Sequence, residues 1–545
     1  MKKDIQYLLI PIIKNALEDL GLDKEAPKDF YLDLPTEARF GDLSCNIAMR
    51  LAKQVKKSPR DLGLEIIGCL LSHIKISGLK DYIKEIKVEG AGFINFYLAE
   101  KYFYEQLQHI ISEGPKALKA DLGKGKKVLI EFVSANPTGS LSVAHARQAA
   151  VGDCLANVFD FLGFSTKREY YLNDEGNQIN ILGDSVYLRT KELDGEKTEF
   201  PENYYQGDYI FDIAREAKDK EVEKKDLGDY AANYILEIIK KELDDFGVKF
   251  DFWSSQKELA KSGRIELDLE LLKKKGYLYE QEGASWFKST DFGDDKDRVV
   301  IKSDGAYTYL APDIAYHQEK YRRGFDWLIN LWGPDHHGYI SRLKASVAAF
   351  GHDPETLSVI IVQLAAIFRE GKVVHMSTRK GQYITLREVL DEVGLDAARF
   401  FFVMRRTSSH LDFDLDVAKK QTAENPVFYV QYAHARICSI LRNAQKQLDR
   451  NVDLSVLKEK EEISLIKKIL QFDSILNICL STLDPYMLTV YLQELSETFH
   501  KFYDAHRVLG QDDALTKARL SLIEGTKIAI ATGLELLGVS RPEKM

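Results

Sequence analysis

A chain of 545 residues is too long for a single hydrophobic core and predicts roughly three or four domains. With 45% hydrophobic and 29% charged residues it has the balance of a folded soluble protein, and no apolar run is long enough to cross a bilayer. A net charge of −9 argues against indiscriminate nucleic-acid binding but leaves room for a local basic face that meets RNA.

The opening MKKDIQYLLIPIIKNALEDLG reads as an amphipathic helix, because acidic and amide residues interrupt its apolar stretch and no cleavage site follows. Up to residue 115, the helix-like runs LSCNIAMRLAKQVKK and PRDLGLEIIGCLLSHI precede two strand-like runs, IKEIKVEG and GFINFYLAE, which Gly90 and Gly92 separate. This predicts a small α+β domain. The charged KALKADLGKGKK is a linker; its GKGKK has the content of a phosphate loop without the spacing. From 116 to 389, VLIEFVSAN, a helix behind His145 and STKREYYLND alternate as a parallel sheet requires. A charged helical insertion is predicted over about 185–285, after which RVVIKSDGAYTYLAPDIAYHQEKY, FDWLINLWGPDHHGY and LSVIIVQLAAIF resume the α/β pattern. From 390 to 545 helix-period runs dominate and predict a bundle.

The five cysteines, Cys45, Cys69, Cys154, Cys438 and Cys479, form no CxxC pair and no zinc-ligand spacing, which fits reduced thiols in the cytosol. DFG at 291–293 lacks the companion motifs of a kinase. More informative is the strand that breaks at Pro137, Thr138 and Gly139 and opens into a helix behind His145, since a helix start offers N–H groups and a positive dipole end to an anion. His145 alone reads first as a packed histidine, since isolated histidines beside apolar residues are more often satisfied locally than catalytic. In HMSTRKGQYITL, residues 375–386, Arg379 and Lys380 beside Gly381 suit either a mobile clamp on polyphosphate or a solvated loop.

Taken in order, EFVSANPTGSLSVAHARQAAVGD and VVHMSTRKGQYITL resemble the two signatures of class I aminoacyl-tRNA synthetases, and within that class those of arginyl-tRNA synthetase. REYYLNDEGNQINILG resembles the helix that follows the first signature, and YLAPDIAYH and GPDHHGYISRL resemble later active-site segments. RFGDLSCNIAMRLAK and GFINFYL resemble its N-terminal domain; ENPVFYVQYAHARICSIL through RPEKM resembles its anticodon-binding domain. The resemblance implies a Rossmann-type parallel-sheet catalytic core, an N-terminal α+β domain that meets the tRNA D-loop, and a C-terminal all-α helical bundle. It also implies activation of L-arginine by ATP to arginyl-adenylate, with tRNA bound, and transfer to tRNA(Arg) with release of AMP and pyrophosphate. ATP arrives with Mg2+ as a substrate complex; no structural metal and no membrane partner are implied, and a cytoplasmic monomer is expected.

Residue by residue, the resemblance places arginine on Glu131, Ser134, Asn136, Tyr309 and Asp313. A guanidinium is a planar fork of donors that needs buried carboxylates, and Tyr309 and Asp313 stand one helical turn apart. ATP falls to Pro137, Thr138, Gly139, Ala144 and His145, then to Gly333, Asp335 and His337, and to Met376 and Ser377. Catalysis falls to His145, Ser142, Arg379 and Lys380. tRNA falls to Phe93 and Asn95 in the first domain and to Tyr429, Gln431, Tyr432 and Met545 in the last. Ser142 and Ala144 depart from the family's HVGH, as do His375 and Thr378 from its second signature, which bears on rate more than on reaction type. A second reading is a catalytically impaired, RNA-binding relative. A synthetase for another amino acid such as cysteine is weakened by the missing zinc-site cysteines. Retention of the guanidinium pocket favours the arginine enzyme.

Overall fold

The computed structural model describes residues 5–27, 30, 32–35, 37–374, 383–444 and 452–545. The first helix, Ile5–Asp19, buries Ile5, Leu9, Ile12, Ile13, Ala16 and Leu17, the stripe expected of an amphipathic helix. β1 (Leu43–Cys45), β2 (Ile83–Glu89) and β3 (Phe93–Leu98) form an antiparallel sheet in the order β1-β3-β2. The run from Leu43 that reads as helical therefore begins as a strand and turns helical only at Ile47, because Leu43, Ser44 and Cys45 pair with β3. Helix Pro59–Ser77 starts sharply: Ser58 accepts the Asp61 N–H at 3.1 Å and Pro59 takes the first helical position, where no N–H is needed.

The central sheet is built from β4 (Lys127–Glu131), β5 (Ser165–Leu172) and β6 (Phe252–Ser255). Next along the chain, β7 (Leu278–Gln281), β8 (Ala284–Phe287) and β9 (Arg298–Ile301) form a separate antiparallel sheet with its own core around Leu272, Phe287 and Val300. β10 (Trp327–Trp332) and β11 (Leu357–Ile361) complete the central sheet, which is parallel and ordered β11-β10-β4-β5-β6. The stretch 185–285 is thus not helical throughout. Helices Tyr209–Asp219 and Leu227–Asp245 are there, but so are the core strand β6 and the hairpin β7–β8. β6 has four residues, too few to show a period, and charged helices flank it. Nor does RVVI return to the central sheet; it pairs with β8 instead.

β12 (Ala365–Arg369), β13 (Lys372–Val373) and β14 (Leu411–Asp414) make a third small sheet, so one strand lies inside the segment expected to be all helical. Beyond it, helices Pro426–Asn443, Lys460–Leu470, Phe472–Thr482, Tyr486–Ala505 and Asp513–Leu537 form the bundle. The bundle packs on the N-terminal domain, where Tyr104 donates to the Leu457 carbonyl at 2.5 Å and Lys467 pairs with Asp42 at 2.6 Å. No helix among the described residues is long and apolar enough to cross a membrane.

At the centre lies helix Val143–Phe161, buried along nearly its whole length between the sheet and the helices Leu386–Val403, Phe472–Thr482 and Asp513–Leu537. Its Asp153 accepts from Arg168 Nε at 2.9 Å and from Arg399 Nη2 at 2.6 Å. Arg399 in turn holds the Phe246 and Leu537 carbonyls at 3.0 and 2.7 Å, so one buried guanidinium joins four segments. Gly152 faces the Phe132 ring so closely that a Cβ there would lie 2.3 Å from it. Gly152→Ala is therefore expected to destabilise the catalytic unit by about 1–3 kcal/mol through overpacking. A thermal midpoint unchanged from wild type counts against this packing.

Candidate active site

The chain order along the central sheet reverses between β4 and β10, since β5 and β6 follow β4 on one side while β10 and β11 run outward on the other. In an open parallel sheet the crevice beyond the strand ends at such a reversal is where ligands bind. Glu131 and Asn330 stand opposite each other in the register there.

Leaving β4, the backbone enters the left-handed region at Val133 (φ +68°) and Ser134 (φ +40°), and the Ser134 N–H closes a tight turn on the Phe132 carbonyl at 2.9 Å. A β-branched residue in that region costs of order 1–3 kcal/mol and persists only where its surroundings hold it. They do: Ser134 Oγ donates to Glu131 Oε1 at 3.1 Å and accepts the Tyr171 N–H at 3.1 Å, while Tyr170 donates to the Ala135 carbonyl at 2.9 Å. Asn136 donates to Gln178 at 2.6 Å. On either side of Gly139, Tyr209 donates to the Thr138 carbonyl at 2.7 Å and Tyr383 to the Ser140 carbonyl at 2.9 Å. Pro137 is buried beneath this turn.

Ser142 is the N-cap of the central helix, and His145 stands in its first turn with Ala144 beside it. The Ser142 backbone N–H donates to His145 Nδ1 at 3.2 Å. A backbone N–H can only donate, so Nδ1 is the acceptor and the neutral ring carries its proton on Nε2. Burial holds His145 down to about 4, which keeps it neutral near pH 7. The segment after the second signature is stitched onto the same turn: Leu386 N–H meets the Leu141 carbonyl at 2.7 Å and Val143 N–H meets Ile384 at 3.3 Å. His375, Met376, Ser377, Thr378, Arg379 and Lys380 lie outside the described residues.

Across the crevice, Asp313 lies in the first turn of helix Leu310–Arg322. Burial chiefly, and the neighbouring Glu131 charge, raise its carboxyl to about 7, against the opposing pull of Tyr339 and Lys320. The Tyr339 hydroxyl is buried beside Asp313 without a full hydrogen bond. Tyr309 is the N-cap of that helix, one turn before Asp313, whose N–H meets its carbonyl at 3.5 Å, and it is 78% exposed. Glu131 is buried with its second oxygen on Lys320 Nζ. Gly333 opens the turn Pro334–Tyr339 after β10, with Asp335 and His337 exposed at the rim. Lys320, Asn330 and Tyr339 went unread in the sequence, although Lys320 falls two turns beyond Asp313 on one helix face.

The outlying positions divide. Phe93 is 37% exposed, whereas Asn95 is buried and accepts from Ser44 Oγ at 2.6 Å, so no amide edge faces outward there. Tyr429 and Tyr432 flank His500, with ring centroids 5.0 and 6.0 Å away, and Met545 is exposed. Gln431, in contrast, is buried and ties Asp396 at 2.8 Å and the Ser540 carbonyl at 2.9 Å, a link between helices and the C-terminal tail.

A parallel sheet with a helix opening behind a histidine at its reversal point defines a class I tRNA synthetase catalytic domain, and residues 106–439 match the family model of that description, tRNA synthetases class I (R), catalytic domain. Residues 8–98 match the arginyl tRNA synthetase N-terminal domain and residues 430–545 the DALR anticodon binding domain. The chain belongs to the arginyl-tRNA synthetase family. It is 45% identical to the arginine–tRNA ligase of Citrifermentans bemidjiense over all of both chains, and 46% identical to that of Carboxydothermus hydrogenoformans over 96% of each. The fold matches the Thermus thermophilus arginyl-tRNA synthetase structure with a TM-score of 0.80 at 21% identity, over 99% of this chain and all of that one.

The state of His145 is open to measurement. A native ring that binds its proton only near pH 4, against 6.5 when unfolded, leaves the unfolded chain with more protons in between. Stability is thus full above about pH 6.5 and falls as the pH drops toward 4. Nitrogen NMR of histidine-labelled protein is expected to show His145 as the Nε2–H tautomer without titration above about pH 5.5, and a midpoint near 6.5 would refute the assignment.

Proposed function

We propose that this chain is an arginine–tRNA ligase that joins L-arginine to ATP as arginyl-adenylate and then transfers the arginyl group to tRNA(Arg). The observation that carries this reading is Asp313, a half-buried carboxylate that forms no ion pair among the described residues, set across the reversal-point crevice from a neutral histidine at a helix start. In the first step the α-carboxylate oxygen of arginine forms a bond to the α-phosphorus as the bond to the β-phosphate oxygen breaks, releasing pyrophosphate. The protein's work is to hold two reactants in line and to stabilise charge that grows on the phosphates. His145 supplies an Nε2–H donor and the helix behind it a positive dipole end; Mg2+ enters bound to the nucleotide. Arg379 and Lys380 are the proposed cations for the departing pyrophosphate. Asn136 and Ser134 line the arginine side of the turn.

For the tRNA we propose the exposed Phe93 on the first domain, and Tyr429, Tyr432 and Met545 on the bundle, where aromatic faces stack on unpaired bases. Asn95 and Gln431 act by holding these surfaces in shape. A catalytically impaired RNA binder has no use for Asp313, since an unpaired, half-buried carboxylate is costly to keep.

ATP–pyrophosphate exchange with each amino acid, with and without tRNA, tests the reading: of the amino acids only arginine should support exchange, and only with tRNA bound, whereas tRNA binding without exchange would point to the impaired relative. His145→Ala is expected to lower the exchange rate by about 100-fold or more at an unchanged thermal midpoint. Arginine affinity should also follow the Asp313 carboxyl. With a midpoint of about 7 in the free protein and a guanidinium that binds only the ionised form, affinity should rise about tenfold from about pH 6 to 8. Calorimetry in buffers of different ionisation enthalpy should show a proton released on binding near pH 7. A flat profile, or one that persists in Asp313→Asn, removes Asp313 from the pocket.

A further inference from the structure

Lys320 is fully buried, on the same helix as Asp313 and two turns further along. Its ammonium meets the Glu131 carboxylate at the end of β4 and Asn330 Oδ1 on β10 at 3.2 Å, and it lies 4.3 Å from the centre of the Tyr316 ring. Because Asn330 spends its oxygen on Lys320, its amide nitrogen donates to His317 Nε2, 2.8 Å away. His317 must then carry its proton on Nδ1, which donates to the Asp313 carbonyl at 2.8 Å. Burial and the Lys320 charge keep that ring neutral. A chain of hydrogen bonds therefore runs from Glu131 through Lys320, Asn330 and His317 to the backbone of Asp313.

We propose that Lys320 is a positioning residue for arginine: by holding Glu131 it leaves Asp313 as the single uncompensated carboxylate, and so gives the pocket the one net negative charge that a guanidinium matches. Glu131 is then not a second acceptor for the substrate. Both of its oxygens are engaged inside the protein, one by Ser134 and one by Lys320. Of the other charges nearby, Asp174 and Glu175 act on Tyr171 but also on Lys257, and Asp174 is held by the Ser255 hydroxyl and the Lys257 N–H at 2.6 and 3.0 Å. Tyr171 on β5 and Tyr339 after β10 stay protonated, as burial and nearby carboxylates push both phenols up, and Glu169 is paired with Arg323 at 2.8 Å. Without Lys320, two carboxylates would share one buried site, and like charges so placed favour protonation of one of them. Asp313, raised to about 7 even with Lys320 present, would keep its proton to a still higher pH without it.

This inference rests on reading the crevice as an arginine pocket, and three variants separate the two: Lys320→Met, Glu131→Gln and the double variant. Each is assayed for arginine-dependent ATP–pyrophosphate exchange with tRNA present, with KM for arginine and for ATP measured separately and the thermal midpoint recorded. Lys320→Met should raise the arginine KM at least about tenfold at neutral pH and leave the ATP KM within about twofold. Glu131→Gln alone should also raise it, since an unpaired Lys320 charge repels the guanidinium. The double variant should recover most of the wild-type arginine KM, because removing both charges restores the balance. If it is no better than Lys320→Met, or does not fold, or if folded Lys320→Met keeps the wild-type arginine KM, the role of Lys320 falls. Wild-type protein that shows no exchange with arginine sinks the pocket reading itself.

Discussion

Helix Val143–Phe161 has to be buried on nearly every side while its first turn stays at the rim of an open crevice, and much of the molecule follows from that demand. Its interior length is lined with Ala146, Ala149, Ala150, Val151 and Gly152, small enough for the sheet and the bundle helices to close on it. Its polar residues cannot reach water and so recruit partners from elsewhere in the chain. Asp153 draws in Arg168 and Arg399, and Arg399 brings with it the ends of two other helices. Arg147 is also fully buried and forms no ion pair among the described residues, although the Asp484 charge acts on it. It donates instead to the carbonyls of Gln363, Arg406 and Ser409 at 2.7–2.9 Å. Each of these bonds satisfies a group that would otherwise be costly to bury, and each fixes a distant segment against the helix that carries His145.

The crevice combines a rigid floor with groups left ready for a ligand. Strain at Val133 and Ser134 is held by side-chain bonds on both sides, and Glu131 is satisfied twice over. Against this floor the Asp313 carboxyl and the Tyr339 hydroxyl are left beside each other without a full hydrogen bond. A preformed site of this kind loses little ordering entropy when a planar cation arrives. The same logic governs the other wall: His145 is fixed in one tautomer by the backbone of Ser142, so its Nε2–H needs no reorientation to meet an anion. Ser142 contributes through its side chain as well as its backbone: its hydroxyl takes part in the capping box with His145 and lies 3.1 Å from His145 Nδ1.

What the sequence revealed and what it hid follow physical lines. β4, its turn at Pro137–Gly139, the helix behind it and the bundle were legible because each is long or sharply punctuated. β1, β6 and β14 were not, having three or four residues each and owing their strand state to partners far along the chain. At the site, motif matching told which residue types stand where, but not whether their polar atoms were already spoken for. Asn95 and Gln431 match as RNA contacts, yet both are consumed inside the protein. Glu131 matches as a guanidinium acceptor, yet Lys320 holds it, and a lysine among DIAYHQEKYRRG reads as one more solvated charge until β4 and β10 are seen to close over it. Tyr309, one turn before Asp313 at the start of the same helix, is exposed, a property its place in the motif does not reveal.

The bonds of Arg147 also define how the catalytic domain meets the bundle. Two of the carbonyls it holds, those of Arg406 and Ser409, flank Thr407, and Thr407 donates its backbone N–H and its hydroxyl to Asp484 at 2.9 and 3.1 Å. Asp484 sits in the turn between helices Phe472–Thr482 and Tyr486–Ala505 of the bundle. One short loop is therefore gripped from the catalytic side by the residue two places after His145 and from the other side by the bundle. A flexible tether would let the two bodies move independently. Here the connection is a run of directed hydrogen bonds through buried groups, so a shift of the bundle at Asp484 has to be taken up either by those bonds or by the helix that carries His145.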